Sequence, residues 1–338
     1  MELQVVTNRS KSQAENYSET SLSSPGTRER RGSKTSPFII ANTNGVSLSH
    51  LKKDCIIPVF AKDNEQTIAH QEFIDVALEC ASNIFPDLAI DSPEVRVSHQ
   101  IKGRTPDAIN IPAKELQSHQ KTIYYERMAF VLRIPSVTNI INGNELTLSI
   151  GGVRAYNREN LFSKKKMESF KFFIGFQNMV CCNMCISTDG YLGEVKASSH
   201  QELERIMLRA IQTYSIEEHL QGMTKLAEAN LTEKQFAQLL GKTRLYNYLP
   251  KAEKSQLPQL LLNDNHFTTV AKDYYQDKSF CKDASGEISL WNAYNLLTGA
   301  NKSSYIDTFL DRGENAYAFA QGISKAINGN SQYHWFLS

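Results

Sequence analysis

Basic and aromatic side chains are concentrated together in one short stretch of the sequence. Between residues 154 and 171 the chain carries four lysines and two arginines, with three aromatic residues among them. Lysine and arginine bind phosphate groups whatever the base sequence, and aromatic rings stack on unpaired bases. The stretch therefore predicts a nucleic-acid-binding hairpin loop. Its candidate residues are Arg154, Tyr156, Arg158, Phe162, Lys164, Lys165, Lys166 and Lys171.

The distribution of charge supports this prediction, although the net charge of the whole chain is only +1. Residues 94–200 carry 14 Lys and Arg against 9 Asp and Glu, whereas residues 37–93 carry 3 against 8. We expect Lys164, Lys165 and Lys166 to contact phosphates, and the two arginines to contact phosphates or stack on bases. In the alternative interpretation the loop is a solvated surface that packs against an acidic neighbour, and the chain is a protein-interaction or structural module.

Other chemistry has weaker support in the sequence. Cys181, Cys182 and Cys185 contain one Cys-x-x-Cys pair, but a structural zinc site usually takes two such pairs. On a strand, Cys182 and Cys185 would point to opposite faces, so we predict buried thiols that bind no metal. Gly241-Lys242-Thr243 resembles the end of a phosphate-binding loop, yet Phe236 stands where that loop needs its first glycine.

No set of acid, base and nucleophile can be named, since the eight histidines are scattered and form no metal-binding or catalytic motif. The sequence thus favours a non-catalytic protein with no cofactor. No run of apolar residues is long enough to cross a membrane, and no signal peptide is expected at the N-terminus. Together with only six cysteines, these features predict a cytoplasmic protein, and a homo-oligomer is one option.

The helices and strands that would position the candidate residues are predicted to form an α+β fold. Residues 1–36 are rich in Ser and Thr and poor in apolar side chains, so they are predicted to be a disordered tail. Residues 37–198 are predicted to form an α+β core, with a helix over 67–85 and then an antiparallel sheet. Residues 199–338 are predicted to be helical.

Turn residues and breakers place the strands. Asn142-Gly143 separates two apolar segments and predicts a tight hairpin, with Pro135 ending the strand before it. Gly151-Gly152, in the returning strand, indicates a bulge or a close approach of another chain segment. Further strands are expected from Val95 to Val97, from Phe170 to Phe176 and from Met179 to Ile186.

The helical region begins with three capping signatures, in which a hydroxyl residue is followed three positions later by Glu or Gln. These begin at Ser199, Ser215 and Thr232. The third helix has a faint helix-turn-helix pattern, and its Ala237 and Gly241 have the offset that lets two helices cross closely. Plain helix pairing is the favoured interpretation of that pattern, because helix hairpins are common.

Several stretches resemble one uncharacterised bacterial family. They are Leu51–Phe60, Thr122–Phe130, Gly151–Asn157, Phe173–Cys185 and Leu296–Leu310, and the resemblance covers roughly residues 40 to 328. On these stretches the chain resembles domain-of-unknown-function family 3871, often found beside mobile-element genes. The blocks Met179–Cys185 and Trp291–Tyr305 are distantly similar to a broader phage- and plasmid-borne family. The resemblance implies a setting of mobile-element DNA, so the predicted function is a nucleic-acid-binding accessory protein of a mobile genetic element.

Overall fold

The computed structural model describes residues 4–5, 36–55, 68–108, 110–158, 167–329 and 332–338. The rest of the predicted tail and residues 56–60 of the Leu51–Phe60 stretch lie outside them. The described strands are β1 (Gln4–Val5), β2 (Asn44–Val46), β3 (Glu94–Val97), β4 (Gln100–Arg104), β5 (Lys121–Tyr125), β6 (Arg127–Ile141), β7 (Asn144–Ala155), β8 (Glu168–Asn178), β9 (Asn183–Cys185), β10 (Tyr191–Ala197), β11 (Asn230–Leu231) and β12 (Ile288–Ser289).

The helices lie mainly after residue 199, as predicted. The described helices are α1 (Leu48–Asp54), α2 (His70–Ile84), α3 (His200–Thr213), α4 (Ile216–Glu228), α5 (Glu233–Tyr246), α6 (Lys251–Lys254), α7 (Asp264–Gln276), α8 (Leu290–Asn301) and α9 (Ile306–Ile327). The fold is therefore a mixture of helices and an antiparallel sheet, which confirms the predicted α+β class.

Strands β6, β7 and β8 form the centre of the large sheet as an antiparallel meander, in the order β10-β8-β7-β6-β3-β2. The first hairpin turns at Asn142 and Gly143, whose φ angles of 48° and 76° are those of a tight primed turn. This confirms the prediction made from the Asn-Gly pair. Because the meander is antiparallel, β3 and β7 end where β6 and β8 begin.

Each face of the sheet is covered by different helices, because side chains alternate along every strand. One face carries Met128, Phe130 and Leu132 and packs against α2, α3 and α4. The second face carries smaller side chains, including Ala129, Val131 and Val153, and is covered by the first turns of α9 and by Phe38 and Ile39. We call these two surfaces the helix face and the second face.

Gly151 and Gly152 lie at the middle of this packing. A Cβ atom at Gly151 would come within 2.2 Å of the carbonyl oxygen of Phe130, and one at Gly152 within 2.5 Å of the Phe73 ring. The glycines therefore allow a close approach, the second of the two predicted roles. The register of β6 and β7 is continuous across both residues, so there is no bulge at this point.

The predicted end of a strand at Pro135 is wrong. Strand β6 continues to Ile141, and its register against β7 shifts between Ile134 and Thr138. A proline cannot donate a hydrogen bond to a neighbouring strand, and a bulge accommodates it without ending the strand. The expected strand from Met179 to Ile186 is also shorter, because residues 179–182 form a turn and only β9 is extended.

The three capping signatures are confirmed as helix starts. The hydroxyl oxygens of Ser199, Ser215 and Thr232 accept the backbone N–H groups of residues 202, 218 and 235.

The helix predicted over 67–85 is α2, and its first helical residue is His70, because Ile68 and Ala69 are not helical. At its start the Glu72 carboxylate accepts the N–H of Ala69. Thr67, the first residue of the predicted helix, lies outside the described residues.

One apolar core joins the strands to the helices that follow residue 199. Its buried members run from Leu51 to Phe336 and include Phe172 on β8, Met207 on α3 and Trp291 on α8. The predicted boundary at residues 198 and 199 therefore separates strand-rich from helix-rich sequence around a shared core.

Candidate nucleic-acid interface

A two-stranded ribbon, formed by β4 and β5, extends the sheet at the end where β3 finishes and β6 starts. Gln100 pairs with Tyr125 in the same register in which Val97 pairs with Met128. The ribbon is thus the continuation of the β3–β6 pair beyond a short interruption at Ser98, whose N–H donates to the carbonyl of Arg127. This element was not predicted from the sequence.

One face of the ribbon is basic. Arg104 lies directly opposite Lys121, and Lys102 lies two residues before Arg104 on the same face. Lys102 and Lys121 are exposed, and Arg104 donates from Nη1 to the carbonyl of Ile111 at 2.5 Å. The ribbon therefore carries three cations on one face.

The predicted basic loop leaves the sheet at the same end. It begins after β7 with a short turn at Tyr156–Arg158 and reaches β8 at Glu168. Phe162, Lys164, Lys165 and Lys166 lie outside the described residues, and of Arg158 only the backbone is described. The structure thus brings together the ribbon and both ends of the loop that carries the predicted phosphate contacts.

Three of the predicted contact residues are buried instead of exposed. Arg154, Tyr156 and Lys171 expose 0%, 3% and 6% of their surface. The Arg154 guanidinium lies 4.8 Å from the centre of the Tyr156 ring and 4.5 Å from that of Phe170, and it pairs with Glu168 at 2.5 Å. Their burial contradicts the predicted contact with phosphates or bases, since a side chain inside the core has no surface to offer a nucleic acid.

Lys171 is engaged on the second face of the sheet. Its ammonium group pairs with the Asp311 carboxylate and donates to the backbone carbonyl of Asp307 at 2.7 Å, both on the first turns of α9. Tyr191 donates to the other oxygen of Asp311 at 2.6 Å. Lys171 therefore attaches α9 to the sheet.

The Arg154–Glu168 pair also connects the two ends of the basic loop to the segment directly before α2. The Glu168 carboxylate accepts the N–H of Ile68 at 3.0 Å, directly before α2. In the first turn of α2, His70 stacks on Tyr156 with ring centres 4.1 Å apart, and burial together with nearby Arg154 lowers the pKa of His70 to about 3. These contacts fix the start of α2 beside the two ends of the basic loop.

Sequence reasoning missed a buried polar network around Ser304. His266 Nε2 lies 3.0 Å from the Ser304 hydroxyl, which resembles a base beside a nucleophile. However, His266 Nδ1 accepts the N–H of Asn263, so Nε2 is the protonated nitrogen, and Ser304 donates to Asn301. Burial and the charge of Arg312 lower the pKa of His266 to about 4. The histidine cannot take a proton from Ser304 in this arrangement, so the network is structural.

The cysteine cluster has the character of buried thiols. Burial raises the pKa of Cys181 to about 11 and raises the pKa values of Cys182 and Cys185 above their ordinary range. Cys181 and Cys182 lie in the turn before β9, where Cys182 has a φ of 57°, so the expectation that they lie on one strand is wrong. Within the described residues, no group of three or more His, Cys, Asp or Glu side chains is placed to hold a metal ion.

Comparison with known proteins places this fold in a family. A family model described as "Domain of unknown function, B. Theta Gene description (DUF3871)" matches residues 19–337, and the chain belongs to that family. No curated protein and no solved structure gives a significant match. Among the described helices, none has the length and the apolar character needed to cross a membrane.

Proposed function

We propose that the chain is a non-catalytic nucleic-acid-binding accessory protein of a mobile genetic element, and that its contact surface is the end of the sheet where the ribbon and the basic loop emerge. One observation carries this proposal. Of the 14 Lys and Arg residues between 94 and 200, six lie on the large sheet and contact neighbouring groups of the protein. The other eight belong to the ribbon with its connection or to the basic loop, which leave the sheet at one end.

The shape of the ribbon adds a preference for duplex. The major groove of B-form DNA accepts a two-stranded β-ribbon, and phosphates on either side of it would meet Lys102, Arg104 and Lys121. The predicted stacking on unpaired bases loses Tyr156 and Arg154, which are buried, and retains Phe162 and Arg158 as candidates. We therefore propose binding to duplex through phosphate contacts.

Fluorescence anisotropy with a labelled duplex and a labelled single strand, at several salt concentrations, tests this function. Changing both Lys102 and Lys121 to Ala should weaken duplex binding and make the log–log salt slope shallower by about 2, since each phosphate contact contributes about 0.9. Lys164, Lys165 and Lys166 changed together to Ala should reduce it by roughly 3. The control changes Lys225 and Lys272, which are exposed on α4 and α7, and should leave the slope as it is.

A charge reversal separates loss of binding from loss of structure. Lys121→Glu places a carboxylate opposite Arg104, so the ribbon should be at least as stable as before while duplex binding falls further than in Lys121→Ala. If the wild-type protein binds neither nucleic acid at low salt, or if the ribbon and loop variants bind as well as the control, the proposal is wrong.

A second candidate function is the protein-interaction module, which one apolar surface favours. Ile40, Val180 and Tyr305 expose 55%, 51% and 62% of their surface. Lys302 connects this region, because its carbonyl accepts the N–H of Ile40 and its ammonium group donates to the carbonyl of Cys181, next to Val180. Tyr305 follows Lys302 by three residues. Exposed apolar groups that cluster in this way are typical of protein contact sites. If neither the duplex nor the single strand binds any of the titrated proteins, the protein-interaction module is the better supported function.

A further inference from the structure

Helix α5 buries one face and presents the other to solvent. Phe236, Leu239 and Tyr246 pack inward, against α7 and the C-terminal residues 332–336. The opposite face shows large apolar side chains to water, because Leu245 and the nearby Tyr248 expose 60% and 78% of their surface. Spacings of three and four residues align this outer face, which consists of Lys234, Ala237, Gly241, Leu245 and Tyr248.

Gly241 lies at the centre of the outer face, and the fold of one chain does not require a glycine there. Its backbone is helical, and a Cβ atom at this position would meet no other atom within 4 Å. Glycine inside a helix is less favourable than almost any other residue. Beside Ala237 it leaves a shallow groove on the helix, bounded at one end by Leu245 and Tyr248. A surface of this shape suits another helix that approaches closely.

We propose that this outer face binds the same face of a second copy of the chain, with the two α5 helices antiparallel and crossing at Gly241. In that arrangement Ala237 of each copy meets Leu245 of the other, so a large side chain fills the space above a small one. Lys234 of each copy meets Tyr248 of the other, which places an ammonium group against an aromatic ring. Both pairs form twice by symmetry, as an isologous contact requires.

Side chains on both flanks of the outer face make contacts within the chain, so they do not cover that face. On one side Arg244 pairs with Asp264 at 2.6 Å, and Tyr275 donates to Glu233 at 3.1 Å. On the other side the Lys242 ammonium lies 4.6 Å from the centre of the Trp335 ring. One helix face and its flanks form a contact smaller than a standard interface of about 1,600 Å², so the dimer should dissociate on dilution.

Sedimentation velocity over a wide range of protein concentration tests this dimer. The wild-type mass should change from two chains to one on dilution, and Gly241→Leu should raise the dissociation constant at least about tenfold. The variant should unfold at the same or a higher temperature, because leucine favours a helix more than glycine and has room there. Gln221→Leu, at an exposed position on α4, is the matched control and should dimerise normally.

Disulfide trapping tests the antiparallel direction. A mixture of Ala237→Cys and Leu245→Cys variants should give a covalent dimer under mild oxidation, faster than either variant alone and faster than the wild-type protein with its native thiols. A dimer of Ala237→Cys with itself would indicate a parallel crossing and would overturn the proposal. A wild-type protein that stays monomeric, or a Gly241→Leu variant that dimerises like the wild type, would also overturn it. Since no nucleic acid is used, these results do not depend on the proposed function.

Discussion

Arg154 is a charged side chain that is buried in the interior of the protein. It lies without exposed surface between two aromatic rings and beside the Glu168 carboxylate. Removing two charges from water costs several kcal/mol for each ion, and their attraction offsets that cost only while both are present. The loss of one partner leaves the other as a buried and uncompensated charge.

Glu168→Leu and Arg154→Met should therefore each lower the free energy of unfolding by about 3–5 kcal/mol. Changing both residues to apolar side chains, Arg154→Met with Glu168→Leu, should cost much less than the sum of the two single changes, because no unpaired charge remains. Urea denaturation of the four proteins measures this difference. Strictly additive losses would show that the two groups do not depend on each other.

The burial of Arg154, Tyr156 and Lys171 depends on the three-dimensional fold, and the density of charge along the sequence does not report it. The density of charge around residues 154–171 predicts a surface. The groups that cover Tyr156 and Lys171 come from α2 and α9, far away along the chain, whereas the Arg154 guanidinium lies among Tyr156, Glu168 and Phe170 of its own stretch. A pattern of nearby residue types carries no information about such partners, so three of the eight predicted contacts were placed wrongly.

Glycines in different elements should respond differently to the same added methyl group. Gly152→Ala on β7 should cost about 1–3 kcal/mol or more, because the new carbon would collide with the Phe73 ring and the backbone of Lys171. Gly143→Ala in the hairpin should cost about 1 kcal/mol, since its φ of 76° is strained for alanine in open space. Gly241→Ala on α5 should instead stabilise by roughly 0.5–1 kcal/mol. Thermal unfolding gives the order, and a different ranking would contradict the packing described for β7.

Turns and helix starts that carry a signal in the local sequence were predicted, and strands whose pairing depends on distant residues were not. The Asn142-Gly143 turn and the three hydroxyl caps act through groups a few residues away, so the sequence alone places them. The ribbon has no such signal, because β4 and β5 are separated by residues 105–120 and pair only through the register that β3 and β6 impose. Helix α1 was also missed, and α7 was predicted only as part of the helical region 199–338. The candidate interface was thus predicted in its loop and not in its ribbon.

Stability of the whole molecule should fall as the solution becomes acidic. Burial lowers the pKa of both His70 and His219 from 6.5 to about 3. The unfolded chain therefore takes up these protons near pH 6.5, whereas the folded chain takes them up only near pH 3. The stabilisation is complete above about pH 6.5 and is lost as the pH falls toward about 3, with a slope of up to about 1.4 kcal/mol per pH unit for each histidine.

Urea denaturation between about pH 7 and pH 5 measures this slope. His219→Gln should make it shallower, because the amide that replaces the ring does not titrate in that range. His119→Gln, at an exposed position, is the control and should keep the wild-type slope. An unchanged slope in His219→Gln would mean that the buried ring does not govern the acid sensitivity.

The second face of the sheet is closed by residues from widely separated parts of the chain. The N–H groups of Ile40 and Ala41 donate to the carbonyl of Lys302, and the Phe38 ring packs 6.0 Å from that of Phe309. On a ribosome that adds about 5–20 residues per second, the roughly hundred residues between β10 and α9 take on the order of 5–20 s to appear. For that interval the nascent sheet would carry an uncovered apolar surface around Val131, Val153 and Phe173. Synthesis of this protein thus includes a period in which the second face has its strands but not the helix that closes it.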